Sequence, residues 1–546
     1  MTDQEEYITL RIINACIRED VASLIHRGEI RHERGQCWLY NMHLDIPLRI
    51  QVEPCNYMQP WRAVASHWQE LHGDTWQTGT GYATWLRRLM PDQSEETRQR
   101  FASYQEEADA ACKQGDLCHQ AFMLLSDDLS RPLHLRSWGE RMRHAEQMAS
   151  FLDHPFYPTA RPKFGFDLSQ IKNYAPEFCS VFRLRWLAVP ATMLTLTRPE
   201  QRPQWWPVFS QVGLPETLQS SHHLIPVHPL TWSQLHALPS DIIHAPNAWL
   251  EVYPTLSVRT VQLADWPEDH IKVPLAMRTL GQKNIRLIKA STLYDGQWFA
   301  DILPQLAECD PLLNQRYRHV NEAYFGHVGE ERQLAFLVRR YPQAVAEETL
   351  APVAALESNQ QNAIISFTPG QPPSLVMKDN DAARLLISRF GSARPDLLPG
   401  VWEIKDKRIL AEDDVALAQM FITITLQLDI AALLENLAER GLLNRAEAYE
   451  IVRYSLCCTL DNLDKRGTDT SFARQMLFEA PLQPVKYLLL SGSLMNKSTT
   501  GVADINKYYG LSGPNFLCED AVMCSCTASA STSHFPEAAA TLPCNR

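Results

Sequence analysis

Residues 44–52 read Leu-Asp-Ile-Pro-Leu-Arg-Ile-Gln-Val, and every second residue of this stretch is branched and apolar. Successive side chains of a β-strand point to opposite faces, so the alternation predicts a strand with one face against a core. Upstream, apolar residues recur at helical spacing from Leu10 to Leu24, and Gly28 is expected to end that helix. A helix followed directly by a half-buried strand favours a mixed, α+β fold.

The same two signals continue along the chain. A capping box of Ser137 and Glu140 precedes a helical pattern that reaches residue 152. Short β-rich stretches dominate residues 250–299, whereas residues 413–463 are strongly helical. We therefore divide the chain into a helix-rich N-terminal region (1–140), a central mixed α/β region (141–345), a C-terminal region (346–520) and a tail (521–546) that is predicted to be disordered.

The composition indicates an ordinary soluble protein. The 546 residues are 45% hydrophobic and 21% charged, and a chain of this length builds several packed domains. A formal net charge of -12 argues against a nucleic-acid partner, because neutralising phosphates requires a basic surface. The N-terminus lacks the pattern of a signal peptide, and the longest apolar run, residues 420–434, is interrupted by polar residues and too short to span a membrane. We expect a cytoplasmic protein without a membrane partner.

Residues 153–165 form the first segment whose side chains could bind a substrate. They read Asp-His-Pro-Phe-Tyr-Pro-Thr-Ala-Arg-Pro-Lys-Phe-Gly and combine three prolines with several ionisable side chains. Proline fixes φ, so such a loop holds its polar side chains in a preset arrangement. His154, Arg161 and Lys163 are able to donate hydrogen bonds to carboxylates, which predicts an anionic substrate. A plain structural turn is the alternative.

The second segment, residues 255–259, reads as a strand in which Ser257 and Arg259 share a face. Lys272 and a basic run that ends at Arg286 follow it. Two unit charges about 4 Å apart interact by roughly 4 kcal/mol at an effective dielectric near 20, so a triphosphate beside a polycarboxylate requires cations between them. These side chains are candidates for that task. A solvated charged face is the alternative.

The third segment predicts a β-hairpin. Strands at residues 363–367 and 375–377 flank a turn, and pairing them brings Gln361 close to Asp379 at the open end. Magnesium usually takes one or two carboxylates together with substrate phosphates and water, and this hairpin end could supply such ligands. An ordinary hairpin with polar ends is the alternative.

Two single residues are weaker candidates. His228 lies in a short apolar stretch and is more typical of a structural histidine than of a catalytic one. Lys486 could extend from a buried element to solvent or enter a cleft. The sequence contains no nucleophile elbow, Walker A loop, dinucleotide-binding glycine motif or H-E-x-x-H motif. The common hydrolase, P-loop, Rossmann and zincin classes therefore lack their signatures.

Taken in order, these segments resemble the aerobactin-synthetase (IucA/IucC) family, siderophore synthetases that work without a nonribosomal peptide template. Residues 154–165 are similar to the family signature G-H-P-x-H-P-x-x-K-x-R-x-G, and residues 227–229 to its later H-P element. Residues 357–362 and 378–379 are similar to its E-x-H-x-Q-N and R-D motifs. The likeness extends from residue 135 to residue 490, approximately.

The chain departs from these motifs at six positions: Asp153 and Tyr157 replace a Gly and a His, Arg161 and Lys163 exchange the usual Lys and Arg, Asn359 replaces a His, and Lys378 replaces an Arg. Asn359 matters most, because an amide can hydrogen-bond a phosphate but cannot become cationic or move a proton. A second hypothesis follows, that the chain is a catalytically impaired homologue that binds a siderophore or a carboxylate.

The resemblance implies a cupped-hand fold of three subdomains (thumb, fingers and palm), with ATP and Mg²⁺ in the central cleft and commonly a homodimer. It also implies the reaction. A carboxylate of citrate or a related acid attacks the α-phosphate of ATP, pyrophosphate leaves, and an amine or alcohol captures the acyl-adenylate.

The resemblance further implies residue roles. The nucleotide would contact Ser257, Arg259, Lys272, Arg286, Asn359, Gln361 and Asp379. Of these, Gln361 and Asp379 would hold the magnesium. The acid would contact His154, Arg161, Lys163, Arg286 and Lys486. The catalytic residues would be His154, Lys272 and Arg286.

Overall fold

The computed structural model describes residues 2–90, 94–235, 238–281, 285–310, 317–341, 354–355, 362–366, 374–379, 383–495 and 508–518. Helices and largely antiparallel sheets share this part of the chain, which confirms the predicted α+β class. The predicted tail at 521–546 lies outside the described residues.

The N-terminal region contains a sheet as well as helices. Its elements are α1 (Asp3–Arg18), β1 (Glu29–Glu33), β2 (Gln36–Asn41), β3 (Leu48–Pro54), β4 (Trp61–Ala63), β5 (His67–His72), β6 (Thr75–Thr80), α2 (Tyr82–Leu89), α3 (Glu95–Leu124), α4 (Ser126–Leu129) and α5 (Trp138–Ser150). Within the described residues, six antiparallel strands form one sheet in the order β1-β2-β3-β5-β6, with β4 beside β3. The description of residues 1–140 as helix-rich is therefore incomplete.

Two boundaries differ from the sequence prediction. The predicted strand begins later, at Leu48, directly after Pro47, which lacks the N–H that a ladder requires. The first helix ends at Arg18 rather than near Gly28. Asp20 adopts a left-handed conformation (φ 51°), and its carboxylate accepts hydrogen bonds from the N–H groups of Ile25 and His26. These local bonds turn the chain while the helical spacing of apolar residues continues.

The central region contains the largest sheet. Its elements are α6 (Leu168–Tyr174), β7 (Phe182–Pro190), β8 (Leu194–Leu196), β9 (His222–Val227), α7 (Pro229–Trp232), β10 (Ile243–His244), β11 (Trp249–Pro254), β12 (Thr260–Leu263), β13 (Asp269–Lys272), α8 (Ala290–Cys309), β14 (Tyr317–His319), β15 (Asn321–Val328) and β16 (Ala335–Arg340). Among the described residues, nine strands pair in the order β10-β7-β11-β12-β13-β16-β15-β8, with β9 beside β7. The β-rich signal ends at α8, earlier than expected.

The two faces of this sheet have different roles. On β13, Ile271 packs in an apolar core, whereas its neighbour Lys272 lies on the opposite face. The register pairs Lys272 with Leu337, so Leu337 and Arg339 of β16 share the face of Lys272. Helix α8 covers part of this face, because Leu293 packs in one cluster with Leu337. The charged side chains of this face consequently lie beside α8.

The C-terminal region adds short sheets and helices. Its strands are β17 (Ala354–Ala355), β18 (Ala363–Ser366), β19 (Ser374–Met377), β20 (Arg384–Leu386), β21 (Leu410–Ala411), β22 (Leu482–Lys486) and β23 (Tyr509–Pro514). Its α-helices are α9 (Ile387–Ala393), α10 (Leu398–Val401), α11 (Asp414–Met420), α12 (Ala432–Glu439), α13 (Arg445–Lys465) and α14 (Ser471–Arg474). A π-helical segment, Phe421–Ala431, joins α11 to α12. The strong helical pattern of residues 413–463 is confirmed.

The continuous helix Asp414–Glu439 is long and apolar enough to cross a membrane by length and composition. Its residues are nevertheless used in packing. Ile424 and Leu428 belong to a core with α1 and the N-terminal sheet, whereas Ile422 and Leu426 pack with α13. A helix whose different sides contact two cores is best explained as a buried helix. The N-terminal region (1–140) and the C-terminal region (346–520) thus share one core, and the four-part division stays a prediction.

Candidate active site

Residues 255–259 form a turn between β11 and β12, so the prediction of a strand with Ser257 and Arg259 on one face is wrong. The hydroxyl of Thr255 donates to the carbonyl of Thr260 (2.8 Å), and the hydroxyl of Ser257 accepts the Thr260 N–H (3.1 Å). Side-chain hydroxyls that satisfy nearby backbone groups favour a turn over a strand. Val258 has φ 63°, a conformation that costs a β-branched residue about 1–3 kcal/mol.

The turn brings Arg259 next to Lys272. The N–H of Val273 donates to the carbonyl of Arg259 (2.9 Å), and the register pairs Thr260 with Lys272. Both cations line one cavity of about 180 Å³, whose wall includes α8. Arg259 also donates from Nη1 to the carbonyl of Leu287 (2.8 Å), which holds its guanidinium at the wall. Two of the predicted phosphate contacts therefore share one cavity.

Asp379 joins these cations. Its Oδ1 accepts hydrogen bonds from Lys272 Nζ (2.6 Å) and from Arg339 Nη2 (2.7 Å). Arg339 is 1% exposed and also donates from Nε to Glu322 Oε1 (2.5 Å). Burial alone would raise the pKa of Asp379, but Arg339 and Lys272 lower it well below its usual value. Asp379 is therefore a carboxylate at every physiological pH.

Arg286 lies at the edge of this cavity. Its chain neighbours Ile285 and Leu287 line the cavity wall. Its N–H donates to the carbonyl of Met277 (3.0 Å), and its Nε donates to the hydroxyl of Thr279 (2.9 Å). Backbone bonds therefore fix the position of Arg286 independently of its side chain.

The segment before Arg286 connects the cavity to the rest of the site. Arg278 and Phe164 exchange two backbone hydrogen bonds of 3.1 Å, which pairs this segment with the proline-rich loop. Gly281 has φ 97° and lies against Gly492, so close that a Cβ on Gly281 would approach the Gly492 carbonyl oxygen to 2.9 Å. Glycine is required here. The loop at 153–165 and the C-terminal region thus border the same segment.

The predicted hairpin is present. Strands β18 and β19 are antiparallel, with Ala363 opposite Met377, and the N–H of Lys378 donates to the carbonyl of Asn362 (3.0 Å). Asp379 follows directly, at φ 59°. The predicted partners Asn359 and Gln361 lie outside the described residues.

The resemblance implies a magnesium ion, and two carboxylates near the cavity are of the type that binds it. Glu322 lines the cavity. Asp379 bonds to the cavity residue Lys272 through Oδ1, and its Oδ2 has no hydrogen-bond partner among the residues that the structure describes. The described residues contain no group of three or more His, Cys, Asp or Glu side chains placed to hold a metal. Two carboxylates suit Mg²⁺, which takes few protein ligands beside phosphates and water. Asp379 and Glu322 therefore fit this ion.

Two basic residues of the proline-rich loop pair with carboxylates of the protein itself. Arg161 Nη2 donates to Asp153 Oδ2 (2.9 Å), and Lys163 forms a buried ion pair with Glu177. Such pairs are costly to break, because each partner would be left buried and uncompensated. The structure thus gives Arg161 and Lys163 internal partners, and their contact with a substrate stays a prediction.

His154 is held differently. Its Nδ1 accepts the N–H groups of Phe156 and Tyr157, both at 3.1 Å, so the ring proton resides on Nε2. Burial and the neighbouring cations Arg11, Arg18 and Lys486 lower the pKa of His154 to about 3. Nε2 has no protein partner within the described ranges. His154 is therefore a neutral hydrogen-bond donor.

Helix α1 positions the backbone around His154. Arg11 donates to the carbonyls of His154 (2.5 Å) and Tyr157 (2.8 Å), and Arg18 donates to that of Phe156 (2.6 Å). Lys486, on β22, is 6% exposed and close enough to His154 to lower its pKa. The structure therefore brings two predicted acid contacts, His154 and Lys486, together from distant parts of the chain.

His228 has a structural position. It is fully buried between the rings of Tyr174 and Phe182, and its Nδ1 accepts the N–H of Leu230 (3.2 Å) at the start of α7. This agrees with the structural interpretation of the sequence.

We expect His228→Asn to make folding stability less sensitive to acid. Burial lowers the pKa of His228 to about 3, from 6.5. Between these values the unfolded chain binds a proton that the native state does not, so native stability falls by up to about 1.4 kcal/mol per pH unit as the pH is lowered. Asparagine keeps the helix cap but does not titrate.

Urea unfolding from about pH 8 to about pH 5 measures this difference. The exposed His67 supplies the control, since His67→Asn should leave the pH dependence unchanged. Parallel stability curves for the wild type and His228→Asn would contradict the prediction.

Three residues at the site were not predicted from the sequence: Glu146, Glu322 and Arg339. Glu322 and Arg339 are charged residues next to runs of apolar residues in their strands, an unusual signal that could have marked them. Glu146 lies in an ordinary amphipathic helix and carries no such signal.

Known proteins resemble this chain in sequence and in fold. The model of the IucA / IucC family matches residues 141–358, and that of the ferric iron reductase FhuF-like transporter matches residues 344–500. The chain is 23% identical to staphyloferrin B synthase of Staphylococcus aureus (strain NCTC 8325 / PS 47), over 88% of this chain and 92% of that protein.

Two solved structures share the fold. ATP-bound aerobactin synthetase IucA from a hypervirulent pathotype of Klebsiella pneumoniae has a TM-score of 0.70 at 16% identity, with 94% of this chain and 100% of that chain covered. The petrobactin biosynthesis protein AsbB of Bacillus anthracis str. Sterne has a TM-score of 0.71 at 13% identity, with 94% and 96% covered. The fold thus extends over nearly the whole chain.

Proposed function

We propose that this chain, which belongs to the IucA/IucC family of siderophore synthetases, uses ATP to join a carboxylate of citrate or a related polycarboxylic acid to an amine or an alcohol. The names of two relatives describe the joining of citrate to an amine. One is an L-2,3-diaminopropanoate–citrate ligase, 30% identical over 21% of this chain, and another is an N(2)-citryl-N(6)-acetyl-N(6)-hydroxylysine synthase of Vibrio mimicus. These names support a ligase of iron acquisition.

The observation that carries the proposal is that Arg259 and Lys272 line one cavity and that Asp379 accepts a hydrogen bond from Lys272 there. They come from three stretches of the chain, and each was predicted as a nucleotide contact. Cations fixed before the substrate arrives stabilise charge that develops on phosphate oxygens without further reorganisation. This placement supports nucleotide binding at the cavity.

The proposed reaction has two steps. A carboxylate oxygen of the acid attacks the α-phosphorus of ATP, and the bond to the bridging oxygen of pyrophosphate breaks. An amine or hydroxyl then attacks the acyl carbon, AMP leaves with the former carboxylate oxygen, and the nucleophile loses a proton. Lys272, Arg259 and Arg286 oppose the negative charge that builds up during the first step. Bound Mg²⁺ would supply further neutralisation of the phosphates, held by Asp379 and Glu322 and, as the resemblance implies, by Gln361.

His154 and Lys486 suit the acid. A neutral Nε2–H donates to a carboxylate without placing another charge in the site, and Lys486 supplies the positive charge. We propose that His154 orients the acid while Arg286 contacts both the acid and the phosphate.

Pyrophosphate release tests this function. The protein would be incubated with ATP, magnesium, citrate or 2-oxoglutarate, and a panel of polyamines, amino acids and amino alcohols. We expect pyrophosphate and AMP only in complete mixtures. Citrate binding without pyrophosphate in any mixture would instead favour the catalytically impaired homologue that Asn359 suggests.

We also propose that the enzyme works in the cytoplasm as a homodimer. Burial of the helix Asp414–Glu439 in two cores supports an enzyme that does not use this helix to cross a membrane. Sedimentation velocity on the purified protein tests the oligomeric state.

A further inference from the structure

One carboxylate, Glu146 of α5, contacts both the turn at residues 255–259 and the hairpin end at residues 378–379. Its Oε2 accepts the backbone N–H of Leu256 (2.9 Å), in the turn that carries Ser257 and Arg259. Its Oε1 accepts a hydrogen bond from Lys378 Nζ (2.9 Å), the residue before Asp379. The two segments lie 122 positions apart in sequence, from Leu256 to Lys378, and a third element bridges them.

Both bridged segments are strained. Val258 has φ 63° and Asp379 has φ 59°, and neither is a glycine. Such conformations persist only where the surrounding structure imposes them. Glu146 bonds to Leu256, two residues before Val258. It also bonds to Lys378, one residue before Asp379.

The bridge lies in the protein interior. The side chains of Lys378 and Glu146 are 4% and 11% exposed. The two side chains form an ion pair there, with 2.9 Å between Lys378 Nζ and Glu146 Oε1. His270, which lies nearby, has a pKa lowered well below its usual value by burial and by Lys378 and Arg339, so it is neutral. Glu146 therefore supplies the negative charge that keeps Lys378 in place.

We propose that Glu146 is a positioning residue for ATP. It holds the turn with Arg259 and the hairpin end with Asp379 at the separation that the triphosphate and its metal require. The inference rests on the proposed function and deepens it, since it assigns a part in nucleotide binding to a residue outside the motifs.

The test variant is Glu146→Gln. An amide has a single acceptor oxygen, so either the Leu256 N–H or the Lys378 ammonium loses its partner. Loss of a supporting contact behind a ligand-binding group typically costs about 10- to 100-fold in affinity or activity. We expect a loss of that size in ATP affinity by calorimetry, and a matching rise in the KM for ATP with no change in the KM for the acid.

A second variant tests the bridge from its other end. Lys378→Met removes the other end of the bridge, so it should weaken ATP binding as Glu146→Gln does. The double variant should be no weaker than either single one, because contacts that act through one link are not additive. Fully additive losses would overturn the bridge.

The control is Glu70→Gln in the N-terminal sheet. Glu70 is also a buried glutamate in an ion pair, with Arg88 (2.7 Å). Its replacement should lower the melting temperature while ATP affinity stays that of the wild type. This comparison removes a general loss of stability as the explanation.

Two further outcomes overturn the inference. If the wild type binds ATP and Glu146→Gln binds it equally well, the positioning role is wrong while the proposed function stands. If the wild type fails to bind ATP with magnesium, both fail together. Because calorimetry with ATP requires no acid or amine, the choice of those substrates does not affect the result.

Discussion

Replacing Arg286 by alanine should abolish pyrophosphate release and leave the fold intact. Arg286 stands between Ile285 and Leu287, which line the cavity of Arg259 and Lys272, and we propose that its guanidinium opposes charge on the reacting phosphate. Removal of one preorganised donor of this kind typically costs about 10²–10³ in kcat. The backbone bonds of Arg286 do not depend on its side chain, so the segment should keep its course.

The measurement is pyrophosphate release with saturating ATP and acid, together with the melting temperature. Arg183→Ala is the matched control, because Arg183 belongs to an exposed ion pair with Glu251 on the central sheet. Normal turnover by a well-folded Arg286→Ala variant would refute the assignment of Arg286.

Replacing Arg339 by methionine should lower the free energy of unfolding far more than replacing an exposed arginine does. Arg339 is buried and contacts both Glu322 and Asp379. Although burial disfavours its charge, these two carboxylates raise the pKa of Arg339 above its usual value. Removing one partner of a buried ion pair costs about 3–5 kcal/mol, since the remaining charge stays uncompensated. Glu322 loses this partner altogether, and Asp379 keeps Lys272.

Guanidinium unfolding measures the loss, and Arg183→Met again supplies the comparison. The Arg183–Glu251 pair is exposed, with side chains 61% and 49% accessible, and such pairs contribute about 0–1 kcal/mol. Equal midpoints for Arg339→Met and Arg183→Met would show that the charge network contributes no stability. Adding Glu322→Gln to Arg339→Met should recover part of the loss, because it removes the buried charge that Arg339 had balanced.

Local periodicity predicted some elements well and others poorly. The strand around Leu48 and the helices of residues 413–463 were correct, because alternation and helical spacing report burial directly. The predicted end of the first helix and the strand predicted at residues 255–259 were wrong. In both cases side-chain oxygens, of Asp20, Thr255 and Ser257, bond to nearby backbone groups and override the apolar pattern.

The site shows the same division. Arg259, Lys272 and Asp379 were predicted together; in the structure Arg259 and Lys272 line one cavity, and Asp379 accepts a hydrogen bond from Lys272. Glu322 and Arg339 were missed, because a charged residue in a strand reveals its partner only when the register of neighbouring strands is known. Arg161 and Lys163 form ion pairs with Asp153 and Glu177, and their predicted contact with a substrate stays a prediction.

The sequence alone determined the α+β class and the family resemblance, because these depend on spacing along the chain and on residue types that chemistry restricts. Only the tertiary structure decided which charges face the cavity and which pair with one another. It also revealed that Glu146 joins two segments far apart in sequence, and that α1 holds the loop of His154. Ion pairing depends on distances of a few ångströms between residues from different elements, and no local pattern encodes those distances.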